Sequence, residues 1–250
     1  MQIKHFTIKR AYEICCKIFL PEDGSVHRVV LGVHGFAGDK ESTMVERLAQ
    51  TVCEKQTALV TFDFPAHGAS PVSEEWLTVD NCKRDLCAVF EYALAQYPDA
   101  EKSIFATSFG GYITLLSVDQ FDNVKLILRA PAVNMPKVLL ENVLQISAEV
   151  FRKKGVVSCG FERMIQLPYT FYKDISSQDD FFFHKTIPFD LLVIQGDCDD
   201  IVPLSDVQHF VDLQSNAKLE VIYGADHRFK HEGEMDKIIA LTTQFLGIEA

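Results

Sequence analysis

No stretch of this 250-residue chain approaches the roughly 18 consecutive apolar residues of a membrane-spanning helix. The opening Met1-Gln2-Ile3-Lys4-His5 starts no apolar run of signal-peptide length. Cysteine forms no framework either: seven residues, an odd number, at 15, 16, 53, 82, 87, 159 and 198, make no CxxC pair and no zinc-ligand spacing. Most lie in apolar runs such as Ile14-Cys15-Cys16 and Val52-Cys53, the setting of reduced, buried thiols, so a cytoplasmic protein is expected. Positive charge is in deficit: 24 Lys and Arg against 35 Asp and Glu give a net charge of −11. Phosphate backbones and anionic membranes repel such a surface, so neither nucleic acid nor membrane is expected as a partner. GxGxxG, P-loop and metal-cluster patterns are missing, so no cofactor and no metal are expected. Nor are there internal repeats, low-complexity tracts or long Gly/Ser linkers. With 48% hydrophobic residues, positions 1–250 read as one domain large enough for a full core.

What is present is an alternation of short apolar runs and amphipathic segments. Residues 2–8 and 11–19 read as strands joined near Lys9-Arg10. Further strands are expected at Arg28 to Val33, Ala58 to Phe62, Ser103 to Thr107, Val124 to Leu128, Phe189 to Gln195 and Leu219 to Tyr223. Helical spacing of apolar residues marks 43–55, 79–97, 109–118, 204–214 and 232–247. This βαβα rhythm predicts an α/β fold: a doubly wound, mostly parallel sheet of about eight strands with helices on both faces. Ligands of such sheets bind outside the carboxyl ends of the strands, so chemistry is expected just after Val33, Phe62, Thr107, Leu128, Gln195 and Tyr223.

Residues 134–184 interrupt the rhythm. A helix is expected over 138–153 and a turn at Lys154-Gly155, followed by irregular sequence rich in Phe and Tyr. An insertion of about 50 residues between two sheet strands is a candidate lid or cap, with Phe171, Tyr172 and Phe182 as candidate substrate contacts. The plainer reading is a structural cap with a small core of its own.

Three loops carry chemistry. Ile104-Phe105-Ala106-Thr107-Ser108-Phe109-Gly110-Gly111 reads as strand, sharp turn, helix, which would hold the Ser108 hydroxyl above the sheet edge. The pattern is G-x-S-x-G with Ala106 at its first position. A serine hydroxyl does not ionise near neutral pH and needs an adjacent base, for which imidazole is suited. Of the histidines downstream, His209 falls in a helix, His184 in the insertion and His231 at the start of the final helix. His227, in Gly224-Ala225-Asp226-His227, follows the last strand directly. The acid should follow the preceding strand, where Asp197, Asp199 and Asp200 all stand; spacing does not choose among them, and the other two are expected to be solvated or to cap the next helix. Val33-His34-Gly35-Phe36-Ala37-Gly38 follows a central strand, and its backbone can face the nucleophile. The expected oxyanion donors are the N–H groups of Phe36 and Phe109. His34 itself is read as structural.

With these residues together, the chain resembles the α/β-hydrolase superfamily of serine hydrolases along essentially its whole length. His34-Gly35-Phe36 matches the oxyanion loop, Asp63-Phe64-Pro65-Ala66-His67-Gly68-Ala69-Ser70 the D-x-x-G-x-G-x-S loop, and Ser108 the elbow serine. Gly196-x-x-Asp199-x-x-Val202-Pro203 matches the acid loop, which selects Asp199, and Gly224-Ala225-Asp226-His227-x-Phe229 matches the histidine loop. H-G-F-x-G-x-K and G-A-D-H-x-F look like the bacterial cinnamoyl/feruloyl-type carboxylesterases, which also carry an insertion before the acid strand. The resemblance implies a carboxylic ester hydrolase that works through a Ser108–His227–Asp199 triad and an acyl-enzyme, on small-molecule esters with apolar or aromatic acyl groups. A peptidase or aminopeptidase, a thioesterase and an acyltransferase of the same fold share the triad. A binding protein of this fold without turnover is the non-enzymatic alternative.

Overall fold

The computed structural model describes residues 1–160, 163–178 and 186–248. Its chain order begins with strands β1 (Gln2–Lys9), β2 (Glu13–Leu20) and β3 (Arg28–Val33), helix α1 (Thr43–Cys53), strand β4 (Thr57–Phe62) and helix α2 (Val79–Gln96). Strand β5 (Glu101–Thr107), helix α3 (Phe109–Leu116) and strand β6 (Val124–Arg129) follow. Next come α4 (Met135–Lys137), running into a π-helical turn (Val138–Leu144), then α5 (Ala148–Lys154), β7 (Val156–Gly160), β8 (Met164–Pro168) and α6 (Tyr169–Ser176). The chain closes with β9 (Leu191–Gly196), α7 (Leu204–Asp212), β10 (Ala217–Ile222) and α8 (Glu234–Leu246).

Eight strands form one sheet in the order β1-β2-β4-β3-β5-β6-β9-β10. β1 pairs antiparallel with β2, and β2 antiparallel with β4; every other neighbouring pair is parallel. The parallel strands carry continuous apolar sequence because both faces are covered: all six residues of β4 and all six of β9 are buried. α1 and α8 cover one face, placing Leu48, Val52, Ile238 and Leu246 over Val30, Ile127 and Ile194. α2, α3 and α7 cover the other, with Leu86, Val89, Ile113 and Phe210 over Leu31, Leu126 and Val193. The chain leaves β3 toward β4 on one side and returns as β5 on the other. The strand order therefore reverses between β3 and β5, and the carboxyl ends of these two strands are where a ligand of such a sheet is expected.

Between β6 and β9 the structure departs from the pattern read in the sequence. The single helix expected over 138–153 is two pieces. The π-helical turn ends at Gln145, which takes a left-handed conformation (φ 52°), and Ser147 restarts the helix by accepting the N–H of Val150 at 3.3 Å. A capping serine inside an apolar-periodic run thus overrides the period. The stretch expected to be irregular after Gly155 holds a hairpin, with β7 and β8 pairing antiparallel from Val156↔Pro168 to Gly160↔Met164, and then α6. Val157, Cys159, Ile165 and Leu167 alternate inward, a two-residue period that the aromatic composition around them obscures. No helix among the described residues is long and apolar enough to cross a membrane.

Candidate active site

Ser108 links β5 to α3 with φ 49° and ψ −114°, a backbone conformation that costs on the order of 1–3 kcal/mol for a residue with a side chain. The turn is held from both sides. Ser108 N–H donates to the Arg129 carbonyl at 2.9 Å, and the Ser108 carbonyl accepts from Tyr112 at 3.1 Å and Ala132 at 3.2 Å. The helix can start this abruptly because Gly110 has no side chain. A Cβ there would lie 2.5 Å from the His34 carbonyl oxygen and 2.7 Å from that of Val33. Ala106, where glycine is usual, sits fully buried between Val33 on β3 and Leu128 on β6, and its methyl is accommodated.

His227 reaches Ser108 from the loop after β10, its Nε2 3.1 Å from Ser108 Oγ. Its Nδ1 lies 2.8 Å from Asp199 Oδ2. A carboxylate oxygen accepts, so Nδ1 carries the proton and Nε2 presents its lone pair to the serine hydroxyl. Asp199 is fixed in turn. Its Oδ1 accepts from the N–H groups of Ile201 (2.9 Å) and Val202 (2.7 Å), and its Oδ2 also accepts from Gln195 Nε2 at 2.9 Å. Of the three carboxylates after β9, Asp199 alone turns inward. Asp200 is exposed, as expected for a solvated residue. Asp197 is also exposed, but it caps no helix: Pro203 occupies the cap position of α7, and Asp197 instead accepts the Gly224 N–H at 2.6 Å. Acid and histidine loops touch so closely that a Cβ at Gly196 would lie 2.3 Å from the Ala225 carbonyl oxygen.

The loop after β3 passes beside Ser108: a Cβ on Gly35 would stand 3.4 Å from that of Ser108. The Gly35 carbonyl is engaged by His34 Nδ1 at 2.8 Å and by the Gly38 N–H at 3.1 Å. In a trans peptide the following N–H points the opposite way, so anchoring that carbonyl sets the direction of the Phe36 N–H. His34 Nε2 accepts the Phe64 N–H at 3.1 Å, which fixes a neutral imidazole protonated on Nδ1. Burial pushes the His34 pKa below the usual histidine range in the same sense. Phe109 begins α3, and its N–H has no intrahelical acceptor. The ring of Phe36 meets Phe109 edge-on at 5.9 Å. Lys40 binds the buried Asp63 carboxylate at 2.8 Å, and Ala69 N–H donates to the same carboxylate at 2.8 Å, tying this loop to the one after β4.

Phe171 is 1% exposed and packs against Phe36 (6.1 Å) and Phe109 (5.9 Å), so it stands behind those rings. Tyr172 is half-buried against Phe151 and Tyr169, farther from the serine loop in this network. Phe182 lies outside the described residues, as do Phe161 and His184. Gln195 went unnoticed in the sequence. Its signal was a polar residue at the end of an otherwise apolar strand, Leu191-Leu192-Val193-Ile194-Gln195. Among the described residues, no group of three or more His, Cys, Asp or Glu side chains could hold a metal ion.

Sheet order, antiparallel β2 and the serine turn after β5 define the α/β-hydrolase fold, and solved structures agree. A putative hydrolase from Agrobacterium vitis matches with a TM-score of 0.80 at 17% identity, covering 99% of both chains. Est1E from Butyrivibrio proteoclasticus, solved with ferulic acid bound, matches at 0.79 and 19% identity, over 97% of this chain and 99% of that one. A monoglyceride lipase from Saccharomyces cerevisiae, in complex with a substrate analogue, matches at 0.78 and 14%, over 97% and 94%. None of the curated proteins matches this chain in sequence. The profile of the family described as serine aminopeptidase, S33 matches residues 24–166, more than half the chain. The chain belongs to that family and is a serine hydrolase.

Proposed function

We propose that this chain is a carboxylic ester hydrolase in which Ser108 is the nucleophile, His227 the general base and Asp199 the acid that orients it. The observation that carries this reading is the connected line Ser108 Oγ–His227 Nε2 (3.1 Å) and His227 Nδ1–Asp199 Oδ2 (2.8 Å). Ser108 Oγ attacks the ester carbonyl carbon as its proton passes to His227 Nε2. The carbonyl oxygen becomes an oxyanion facing the N–H groups of Phe36 and Phe109, each worth about 3 kcal/mol to the transition state. Collapse breaks the ester C–O bond, and the leaving alcohol takes the proton from His227. Water, deprotonated by His227, then attacks the acyl-Ser108 carbonyl carbon; the acyl C–Oγ bond breaks, Ser108 Oγ takes the proton back from His227, and the carboxylic acid leaves.

The chain reads as one hydrolase domain over 1–250, with residues 134–184 inserted as a cap on its acyl side. Three contacts support that placement. A Cβ on Gly160 would meet that of Ala37 at 3.2 Å, Arg163 Nη1 donates to the Gly68 carbonyl at 2.5 Å, and Phe171 backs Phe36. The aromatic surroundings of the oxyanion loop favour a small to medium apolar or aromatic acyl group. An aminopeptidase is the second reading, favoured by the description of the family. A panel of aryl esters, short alkyl esters, thioesters and aminoacyl p-nitroanilides separates these readings. The highest kcat/KM is expected on esters with an aromatic or apolar acyl group at a constant leaving group, and that activity is lost in S108A. Preferential cleavage of the anilides would replace it with the peptidase reading.

A further inference from the structure

The histidine loop is gripped by a residue the triad does not include. Arg129 ends β6, buried at 9% exposure, on the sheet face that carries Ile194 and Phe229. Its Nη2 donates to the Arg228 carbonyl at 2.9 Å and, at longer range, to the His227 carbonyl at 3.4 Å. Its guanidinium lies 4.9 Å from the centre of the Phe229 ring. The same loop is held on its amide side by Asp226, whose Oδ1 accepts the N–H groups of Arg228 and Phe229, both at 2.8 Å. The carbonyls of residues 227 and 228 are thus engaged by one side chain and the amides of 228 and 229 by another, and the His227 imidazole is left to face Ser108 and Asp199.

We propose that Arg129 is a positioning residue whose buried guanidinium locks the backbone of the His227 loop and thereby holds the imidazole in line between Ser108 and Asp199. The inference rests on the triad reading above. Arg129 is an expensive way to fill this space. Among the described residues it makes no salt bridge, and its Nε is buried with no partner. A buried ion without a direct counter-charge opposes folding, and this desolvation cost sets off the donor bonds that it makes. Burial pushes its pKa down to about 10, and Asp199 and Asp226 offset this only in part, so the side chain is charged at neutral pH. What methionine or leucine would lack is a donor: a single nitrogen, Nη2, reaches two successive carbonyls.

The test is a steady-state comparison of wild type, R129M and R129K on p-nitrophenyl butyrate, with urea unfolding and fluorophosphonate labelling of each. In R129M, kcat falls on the order of 10- to 100-fold while KM stays within about twofold, because alignment is lost and the binding surface is kept. The urea midpoint of R129M stays close to that of wild type, because the carbonyls left without a donor offset the desolvation that is relieved. R129K, with one ammonium able to reach a carbonyl, recovers part of the lost kcat. A folded R129M with wild-type kcat overturns the proposal, and so does a kcat loss that merely follows a loss of folded protein. Should R129M fail to fold, R129K decides alone: a several-fold lower kcat at unchanged KM supports the proposal, and wild-type kcat defeats it. A wild type that neither hydrolyses the ester nor labels at Ser108 removes the triad reading and this one together. An active, labelled wild type beside an equally active R129M removes only this one.

Discussion

The loops after β3, β5, β9 and β10 and the segment between β6 and β9 meet around one serine, but they are held by different forces. The strand-end loops are fastened by directed polar contacts at buried positions. His34 bridges Gly35 and Phe64, Lys40 binds Asp63, and Asp199 collects four donors. The described part of the segment combines ring packing with polar tethers spread along its length, among them the Arg163 donor to the Gly68 carbonyl. Lys137 meets Asp206 at 3.1 Å, Asn142 donates to the Ile201 carbonyl at 2.7 Å, and Asp174 accepts the Val79 N–H at 2.7 Å. Its hairpin leaves Val156 and Met164 about half exposed. Hydrogen bonds fix direction where packing fixes only proximity, so under the proposed mechanism alignment of the triad is expected to depend on the loops more than on the segment.

Substitutions at the two regions should therefore differ in kind. The largest effect belongs to S108A, which lowers kcat on p-nitrophenyl butyrate by on the order of 10⁶-fold with the fold intact. D199N comes next at roughly 10⁴-fold, because an amide in place of the carboxylate favours the wrong imidazole tautomer. If either retained wild-type turnover in a stopped assay, the division between loops and segment would collapse. Glycines sharpen the contrast. G110A forces a methyl against two carbonyl oxygens of the loop after β3 and costs about 1–3 kcal/mol in urea unfolding, with activity falling alongside. G155A, at φ 72° but in open space on the segment, costs about 1 kcal/mol and leaves kcat unchanged. At the bottom of the scale, M164S moves stability by no more than about 0.5 kcal/mol.

Acid sensitivity separates the regions without mutation. Burial lowers the pKa of His34 and takes that of His67 to about 3. Below pH ~6.5 the unfolded chain takes up protons that the folded loops refuse, so stability falls as pH drops, and for His67 the slope approaches about 1.4 kcal/mol per pH unit well below that point. Asp85, buried beside Arg10 and Tyr12, opposes this. Burial raises its pKa to about 6, so the folded state binds the extra proton and gains stability as pH falls from about 6 toward 4. Urea midpoints measured from pH 7 to 4 should decline on balance, because His67 refuses a proton over the whole range from about 6.5 to 4 while Asp85 gains one only below about 6, and His34 acts in the same sense as His67. H67F should flatten the decline.

The same contrast governs what could be read from the residues. Ser108, His227 and the Gly35-Phe36 loop were legible because strand ends and short glycine-bearing turns dictate where a side chain must emerge. Asp199 was not separable from Asp197 and Asp200 by spacing, since the choice is made by the Ile201 and Val202 amides that grip one carboxylate. Gln195 and Arg129 each end an apolar strand with a polar residue, a signal visible in Leu126-Ile127-Leu128-Arg129 once buried polar groups are asked for their partners. The segment was read worst. Ser147 breaks a helix that periodicity favoured, and the inward alternation of Val157, Cys159, Ile165 and Leu167 is too short to stand out among aromatics.

The central claim is that Ser108 is activated by His227, and fluorophosphonate labelling followed by peptide mass spectrometry tests it most directly. The account predicts a single adduct on Ser108 in wild type, none in S108A, and labelling slowed by orders of magnitude in H227A. A folded wild type that stays unlabelled, or an H227A that labels at the wild-type rate, would contradict it.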